Sequence, residues 1–409
     1  MADKGSRRQR DGSIVHSRPQ RTQPVAQARK SLNFRFILSE IDKPFLILVL
    51  VLLVFGITMM FSASYATSIY EKGDGYFYLK RQALFGGVGV IAMLVISTID
   101  YHFFQNTKVA YISFFATFGI TLYTALFGIS TADANRWLEI GPIQFQPSEL
   151  LKITFIIIFA YIMAVNFPKY KKMKYCIVPF AAILILVCGV LALQRHISAV
   201  MLVVLIGITM MFVSGIPRKS FWIFIGCGAA AALLLVLVII ISGSDKFSYI
   251  TTRFQSWQDP LSDIRGDTAQ TYQGLLAIGS GGLFGLGFGE SRQKYLYLPE
   301  SQNDFIFSVI CEELGFVGAL VVIFLFLMFI IRGFYIASRA KDRFGMLIAV
   351  GIVMQIGSQA LLNIAVACNA FPNTGISLPF FSYGGTALML QLAEVGILLN
   401  ISRQSNIPR

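Results

Sequence analysis

Long, separate runs of apolar residues constrain this chain more than any other feature. PFLILVLVLLVFGITMMFS occupies 44–62, and AAALLLVLVIIIS at 230–242 ends another such run. With their flanks, the runs approach the ~20 residues that a helix needs to cross a ~30 Å hydrocarbon core. Lipid offers no partner for backbone N–H and C=O groups, so only helices or closed barrels can span it. Continuous apolar runs of this length predict helices. Spans are expected near 44–64, 83–99, 109–129, 150–165, 176–193, 197–214, 221–242, 305–331, 344–368 and 377–400. Only 13% of the 409 residues are charged, where a soluble domain carries about a quarter. The expected fold class is an all-α integral membrane protein with ten transmembrane helices.

The net charge of +13 would suit a nucleic-acid binder, but its distribution points elsewhere. Residues 1–43 hold ten Lys/Arg among Gln, Ser and Pro, a composition that predicts a disordered basic tail. On that tail's side of the membrane the loops and termini total 23 Lys/Arg, against 10 on the other side. The positive-inside rule then puts both termini in the cytoplasm, with 401–409 as a short C-terminal tail. The same rule places a large extracytoplasmic loop, 243–304, between helices 7 and 8 of the membrane domain 44–400. No nucleic-acid reading motif accompanies the charge, so no nucleic-acid partner is expected. The first apolar run is too long and starts too late for a cleaved signal peptide. Five cysteines lie in or beside spans without a CxxC pair, and three histidines are scattered without HExxH. They predict free thiols and no dedicated zinc site.

Polar side chains gather at the outer face. The run QKYLYLPESQNDFIFSVICEELGFVG (293–318) places Asp304 where a polar loop turns into an apolar helix. A carboxylate at that boundary can keep its charge, whereas one inside hydrocarbon costs roughly 2.5–3.5 kcal/mol on insertion scales, so such residues default to a functional hypothesis. Asp is also a favoured helix N-cap, which is the structural alternative. At 100° per residue, Glu312 falls about 80° from Asp304 and Glu313 on the opposite face. That predicts Glu312 on Asp304's side of the helix. The 243–304 loop is rich in aromatics and contains AIGSGGLFGLGFGE (277–290). Its glycines serve either close packing or backbone approach to a phosphate. In NRWLEIGPIQFQPSELLK (135–152), Pro147 suits a first helical turn, which sets Glu149 and Lys152 at i, i+3. They can pair with each other, or Lys152 with Arg136 can bind an anionic head group. FPNTGISLPFFSYGGTALM (371–389) interrupts the last span with Pro372, Gly375 and Pro379. Broken backbone at membrane depth must be buried in protein or line a cavity.

Four segments together resemble the SEDS family (shape, elongation, division and sporulation proteins), the FtsW/RodA/SpoVE group. They are RW with QPSELLK (136–152), YQGLLAIGSGGLFGLGFG (272–289), QKYLYLPESQNDFIFSVICEELG (293–315) and PNTGISLPFFSYGG (372–385). The wording is closer to FtsW and SpoVE than to RodA. The resemblance implies a peptidoglycan glycosyltransferase that polymerises lipid II, with Asp304 as its catalytic residue. It implies substrate contacts from Arg136, Glu149, Lys152, Arg253, Gln273, Glu300 and Ser382. A class B penicillin-binding transpeptidase and other divisome proteins are the implied partners, and a divalent cation (Mg or Mn) the implied cofactor. Two positions depart from the family pattern. Asn303 stands where Thr is common, and Gln194-Arg195-His196 replaces Gln/Glu-Pro-Asp.

The chemistry joins a sugar 4-hydroxyl to the anomeric carbon of a lipid-linked chain. It needs a base for the hydroxyl and positive charge for the departing diphosphate. A flippase of lipid-linked precursor is the rival reading, since broken helices and intramembrane charge suit transport as well. A non-catalytic division scaffold is a third. Flipping needs polar groups through the full depth of the bilayer. Transfer needs them at the outer face, where most of the polar residues named here fall.

Overall fold

The computed structural model describes residues 40–405 apart from 132–133, 142, 171, 243–247, 265 and 267. The expected disordered tail up to residue 39, and residues 406–409, lie outside the described residues. Twelve of the fifteen main elements follow from the apolar runs or the aromatic outer loop. The helices of the membrane region are α1 (Lys43–Lys72), α2 (Phe77–Ile96), α3 (Thr107–Phe127), α4 (Pro147–Asn166), α5 (Met173–Leu193), α6 (Ile197–Val213), α7 (Arg218–Ser242), α10 (Ile306–Ser338), α11 (Arg343–Ala367) and α12 (Gly385–Gln404). Two further helices, α8 (Ser248–Gln258) and α9 (Ala269–Ser280), belong to the outer loop. Among the described residues, eight helices are long and apolar enough to cross a membrane, and α6 is a shorter apolar helix of 17 residues.

Three of these spans form the centre. Within their apolar windows α11 is 78% buried and α4 and α12 are each 67%, against 22% for α2 and 28% for α3. The outer helices therefore present Leu84, Ile91, Ile112 and Phe115 outwards, as a lipid-facing surface requires. Buried aromatics such as Phe155, Phe159, Phe329 and Phe380 fill the interior. Where α1 begins, Asp42 caps it by accepting from Phe45 N at 3.0 Å and also pairs with Arg332 of α10 at 2.8 Å.

Two departures from the sequence reading matter for the site. Residues 129–145, expected to be loop, form a small antiparallel sheet, β1 (Ile129–Thr131), β2 (Ala134–Ile140) and β3 (Ile143–Phe145), in the order β1-β2-β3. Strands of three to seven residues carry too little alternation to stand out beside 20-residue apolar runs. The last helix begins at Gly385 rather than 377. Pro379 cannot donate a ladder hydrogen bond, and Phe380 has φ of 66°. Residues 371–384 thus run as irregular backbone folded back into the bundle.

Candidate active site

Asp304 lies within a series of turns, and α10 begins two residues later. Phe305 holds the N-cap position without a side-chain capping bond, so Asp304 is not the cap. Its backbone is fixed instead. Asn363 Nδ2, from α11, donates to Asp304 O at 2.7 Å and to Ile376 O at 2.6 Å. One amide thereby ties the start of α10 to the 371–384 segment. Gly375 has φ of 69°, and a Cβ there would lie 3.2 Å from Asp304 Oδ2. Glycine is required by the backbone and by the carboxylate beside it. Asp304 keeps a partial opening to solvent. Burial, with the Glu300 carboxylate second, pushes its pKa up to about 6, while Arg253 and Arg136 pull it back.

Arg136 and Arg253 act on this carboxylate from separate elements, and Lys152 joins them around His196. Arg136 projects from β2 and donates from Nε to Gln194 O at 3.3 Å and from Nη2 to Arg195 O at 2.6 Å. Arg253, on α8, donates from Nη1 to Asn373 O at 2.9 Å. Lys152 is 2% exposed. It pairs with Glu149 at 3.0 Å and donates to Gln359 Oε1 at 3.4 Å. Pro147 opens α4 and Glu149 lies in its first turn, so the i, i+3 pairing expected from sequence is present. His196, between α5 and α6, is buried where Arg136, Lys152 and Arg253 all bear on it. Burial first, and then those charges, hold its ring well below the usual histidine range.

The structure therefore brings Asp304, Arg136, Arg253, Lys152 and Glu149 into one neighbourhood and supports it with others. Ser382 is a strut: its Oγ donates to Asn303 O and accepts from Leu378 N, both at 2.7 Å. Glu300 is exposed and accepts from Asn303 Nδ2. Gln273 is half-buried on α9. It is Gln270, one turn earlier, that accepts from Asn373 Nδ2 at 2.8 Å and donates to Pro299 O at 3.2 Å. Sequence reasoning missed Asn363, Gln270 and Gln82. Gln82 Nε2 donates to Ser382 O at 3.1 Å, and its Oε1 accepts from Gly384 N at 3.3 Å. Uncharged side chains inside helices gave no signal beyond being polar in apolar surroundings.

Glu312 does not serve Asp304's side. Its carboxylate accepts from Ser291 Oγ at 2.5 Å and Arg292 N at 3.0 Å. Glu313 pairs with buried Lys294 at 3.0 Å and accepts from Ser62 Oγ at 2.6 Å. Both carboxylates anchor the outer loop. The glycine-rich segment does the same through backbone. At Gly315 (φ 67°, ψ −165°) α10 is broken. Carbonyls of Glu312 and Glu313 accept from Leu286 N and Gly287 N, while Phe316 N and Val317 N donate to Gly282 O and Leu283 O, all at 2.9–3.1 Å. These glycines permit close packing.

Comparison with known proteins fits this geometry. The family model for cell cycle proteins of the FtsW, RodA and SpoVE type matches residues 43–407. The chain belongs to the FtsW/RodA/SpoVE family. It is 37% identical over 370 residues to stage V sporulation protein E of Bacillus subtilis, covering 89% of this chain and 97% of that one. A probable peptidoglycan glycosyltransferase FtsW of a Geobacter species is 36% identical over 363 residues, 88% of this chain and 96% of the relative. In fold it resembles a chain of a peptidoglycan synthase complex, with TM-score 0.73 and 24% identity over 89% of this chain and 98% of that one. RodA of Thermus thermophilus gives 0.65 and 24% over 91% and 99%. The chain is thus a multi-pass, helical membrane protein of the FtsW/RodA/SpoVE family. Of its two departures from the family pattern, Asn303 takes part through its backbone carbonyl and its bond to Glu300. The departure at 194–196 brings a neutral, buried histidine into the cationic cluster.

Proposed function

We propose that the chain is a peptidoglycan glycosyltransferase that polymerises lipid II, the undecaprenyl-diphosphate-linked disaccharide-peptide, at the outer face of the bacterial cell membrane. The observation that carries this reading is Asp304: a carboxylate with pKa about 6 beside two arginines. At pH 7 such a group is roughly nine-tenths ionised yet basic enough to take a proton. The acceptor's 4-hydroxyl oxygen forms a bond to the donor's anomeric carbon as the bond from that carbon to the diphosphate oxygen breaks. The hydroxyl proton passes to Asp304, and undecaprenyl diphosphate leaves with the electron pair. Arg136, Arg253 and Lys152 supply the positive charge that this departure calls for. Both termini are assigned to the cytoplasm by the Lys/Arg asymmetry.

Among the described residues no group of three His, Cys, Asp or Glu side chains stands close enough to hold a metal. A Mg or Mn ion would be held instead by one or two carboxylates together with the substrate's phosphates. The partner we assign is a class B penicillin-binding transpeptidase, which would cross-link the strands made here, together with other divisome proteins. The flippase alternative loses Glu312 and Glu313, which are committed to the outer loop. The test is polymerisation of purified lipid II by the purified protein, with and without its transpeptidase. Long glycan strands are expected from the wild-type chain and none from Asp304→Asn. Strand synthesis by that variant at the wild-type rate would refute the assignment.

A further inference from the structure

Among the buried side-chain atoms without a hydrogen-bond partner are His196 Nδ1 and Thr374 Oγ1. His196 is 7% exposed and occupies the N-cap position of α6 without capping it. The helical ladder opens with Val200 N donating to His196 O at 3.2 Å. The amides of Ile197, Ser198 and Ala199 precede any intrahelical acceptor. A helix N-terminus carries partial positive charge and unpaired N–H groups, which suits an anion. Ser198 Oγ donates to Thr374 O, so this helix end abuts the irregular segment one residue before Gly375. On the far side of Gly375 lies the Asp304 carboxylate. Arg136, Lys152 and Arg253 all act on His196, and its ring is kept neutral. A neutral imidazole bears one N–H, which can donate to an oxyanion without adding a fourth full charge.

We propose that the N-terminus of α6, with His196 at its cap, is the oxyanion site for the diphosphate of the lipid-linked donor. His196 Nδ1–H and Thr374 Oγ1–H donate to phosphate oxygens whose charge Arg136, Arg253 and Lys152 neutralise. His196 keeps its proton throughout. It stabilises the diphosphate oxygen that gains charge as the bond to the anomeric carbon breaks. Three cations and a helix end match a diphosphate better than a carboxylate or a single phosphate ester. The Ser198 contact sets the helix end against Thr374, next in sequence to the Asp304 neighbour Gly375, which puts the leaving group next to the base, as a displacement at the intervening carbon needs. This inference rests on the polymerase reading and adds the residue that binds the leaving group.

The test uses the full chain in detergent and titrates farnesyl diphosphate, inorganic pyrophosphate and farnesol by calorimetry. His196→Ala should weaken farnesyl diphosphate about tenfold, the loss of one hydrogen bond to a charged group. His196→Asn, whose amide nitrogen falls near Nδ1, should restore most of that affinity, whereas His196→Gln should not. Farnesol should bind no differently to any variant. Inorganic pyrophosphate should show the same dependence at lower affinity. Pyrophosphate binding as tightly as farnesyl diphosphate would overturn the lipid-linked donor as ligand. Binding by His196→Ala equal to wild type would overturn the site. A second readout needs no variant. With ring-15N histidine in a chain that has three histidines, the His196 signal should move on adding farnesyl diphosphate, and an unmoved signal would also overturn it. The two readings fail separately. Diphosphate binding that depends on His196 without any glycan synthesis would remove the polymerase assignment alone. Synthesis with no such dependence would remove this site alone.

Discussion

The Asp304 assignment makes a quantitative claim about pH. With a pKa of about 6, about a tenth of the carboxyl is ionised at pH 5, and each further unit costs another tenfold. A carboxyl at the ordinary 3.8 would remain about nine-tenths ionised at pH 5. The rate at low substrate should therefore fall to about a tenth of its plateau at pH 5, with the midpoint of the acid limb near 6. Charge on Glu300 contributes to the rise, and Arg253 opposes it. Glu300→Gln should move the acid limb to lower pH, and Arg253→Gln should move it higher. Initial rates of fluorescent lipid II polymerisation, read as strands on gels across pH 4.5–8, measure this directly. An acid limb near pH 4, or one unmoved by Glu300→Gln, would refute the reasoning. The same displacement has a stability consequence. The folded chain disfavours the ionised form, so the cost is fully present above about pH 6 and vanishes as pH falls below 3.8. The rise from 3.8 to about 6 corresponds to at most about 3 kcal/mol. Asp304→Asn should thus raise the melting temperature at pH 7.5 while abolishing synthesis, and a lower melting temperature would contradict it.

Lys294→Met should lower stability by roughly 3–5 kcal/mol, because it leaves Glu313 buried and unpaired, and pairing it with Glu313→Leu should recover most of the loss in thermal melts. Gly315→Ala should cost at least ~1–3 kcal/mol through its positive φ, and more because a Cβ there would clash with the Gly285 backbone N; a silent substitution would remove the broken helix from the account. Lys152→Ala should slow polymerisation by roughly 10²–10³-fold with insertion intact. Adding Glu149→Ala should not restore the rate, and recovery would make the pair purely structural. A cysteine placed at Asp263, in a background without native cysteines, should react in intact cells with a reagent that cannot cross the membrane. Labelling only after lysis would reverse the topology.

Hydrocarbon thickness is a one-dimensional requirement, so the apolar runs alone determined where α1 to α5 and α10 to α12 would lie, to within a few residues at most ends. The wording around Asp304 and QPSELLK was equally legible, and so was the Glu149–Lys152 pair, since i, i+3 spacing fixes proximity on one helix. Tertiary structure decided everything that depends on separate segments meeting. Arg136, Lys152, Arg253, His196 and Asp304 come from β2, α4, α8, the α5–α6 turn and the start of α10, and no local pattern relates them. The angular argument for Glu312 failed for a specific reason. Asp304 lies outside the helix, so 100° per residue does not extend back to it, and the unpaired outer-loop amides claimed the carboxylate instead. The break at Gly315 was hidden because a glycine within an apolar run is ambiguous. Only the arrival of the 281–290 backbone, which needs the carbonyls and amides that a broken helix frees, made it favourable.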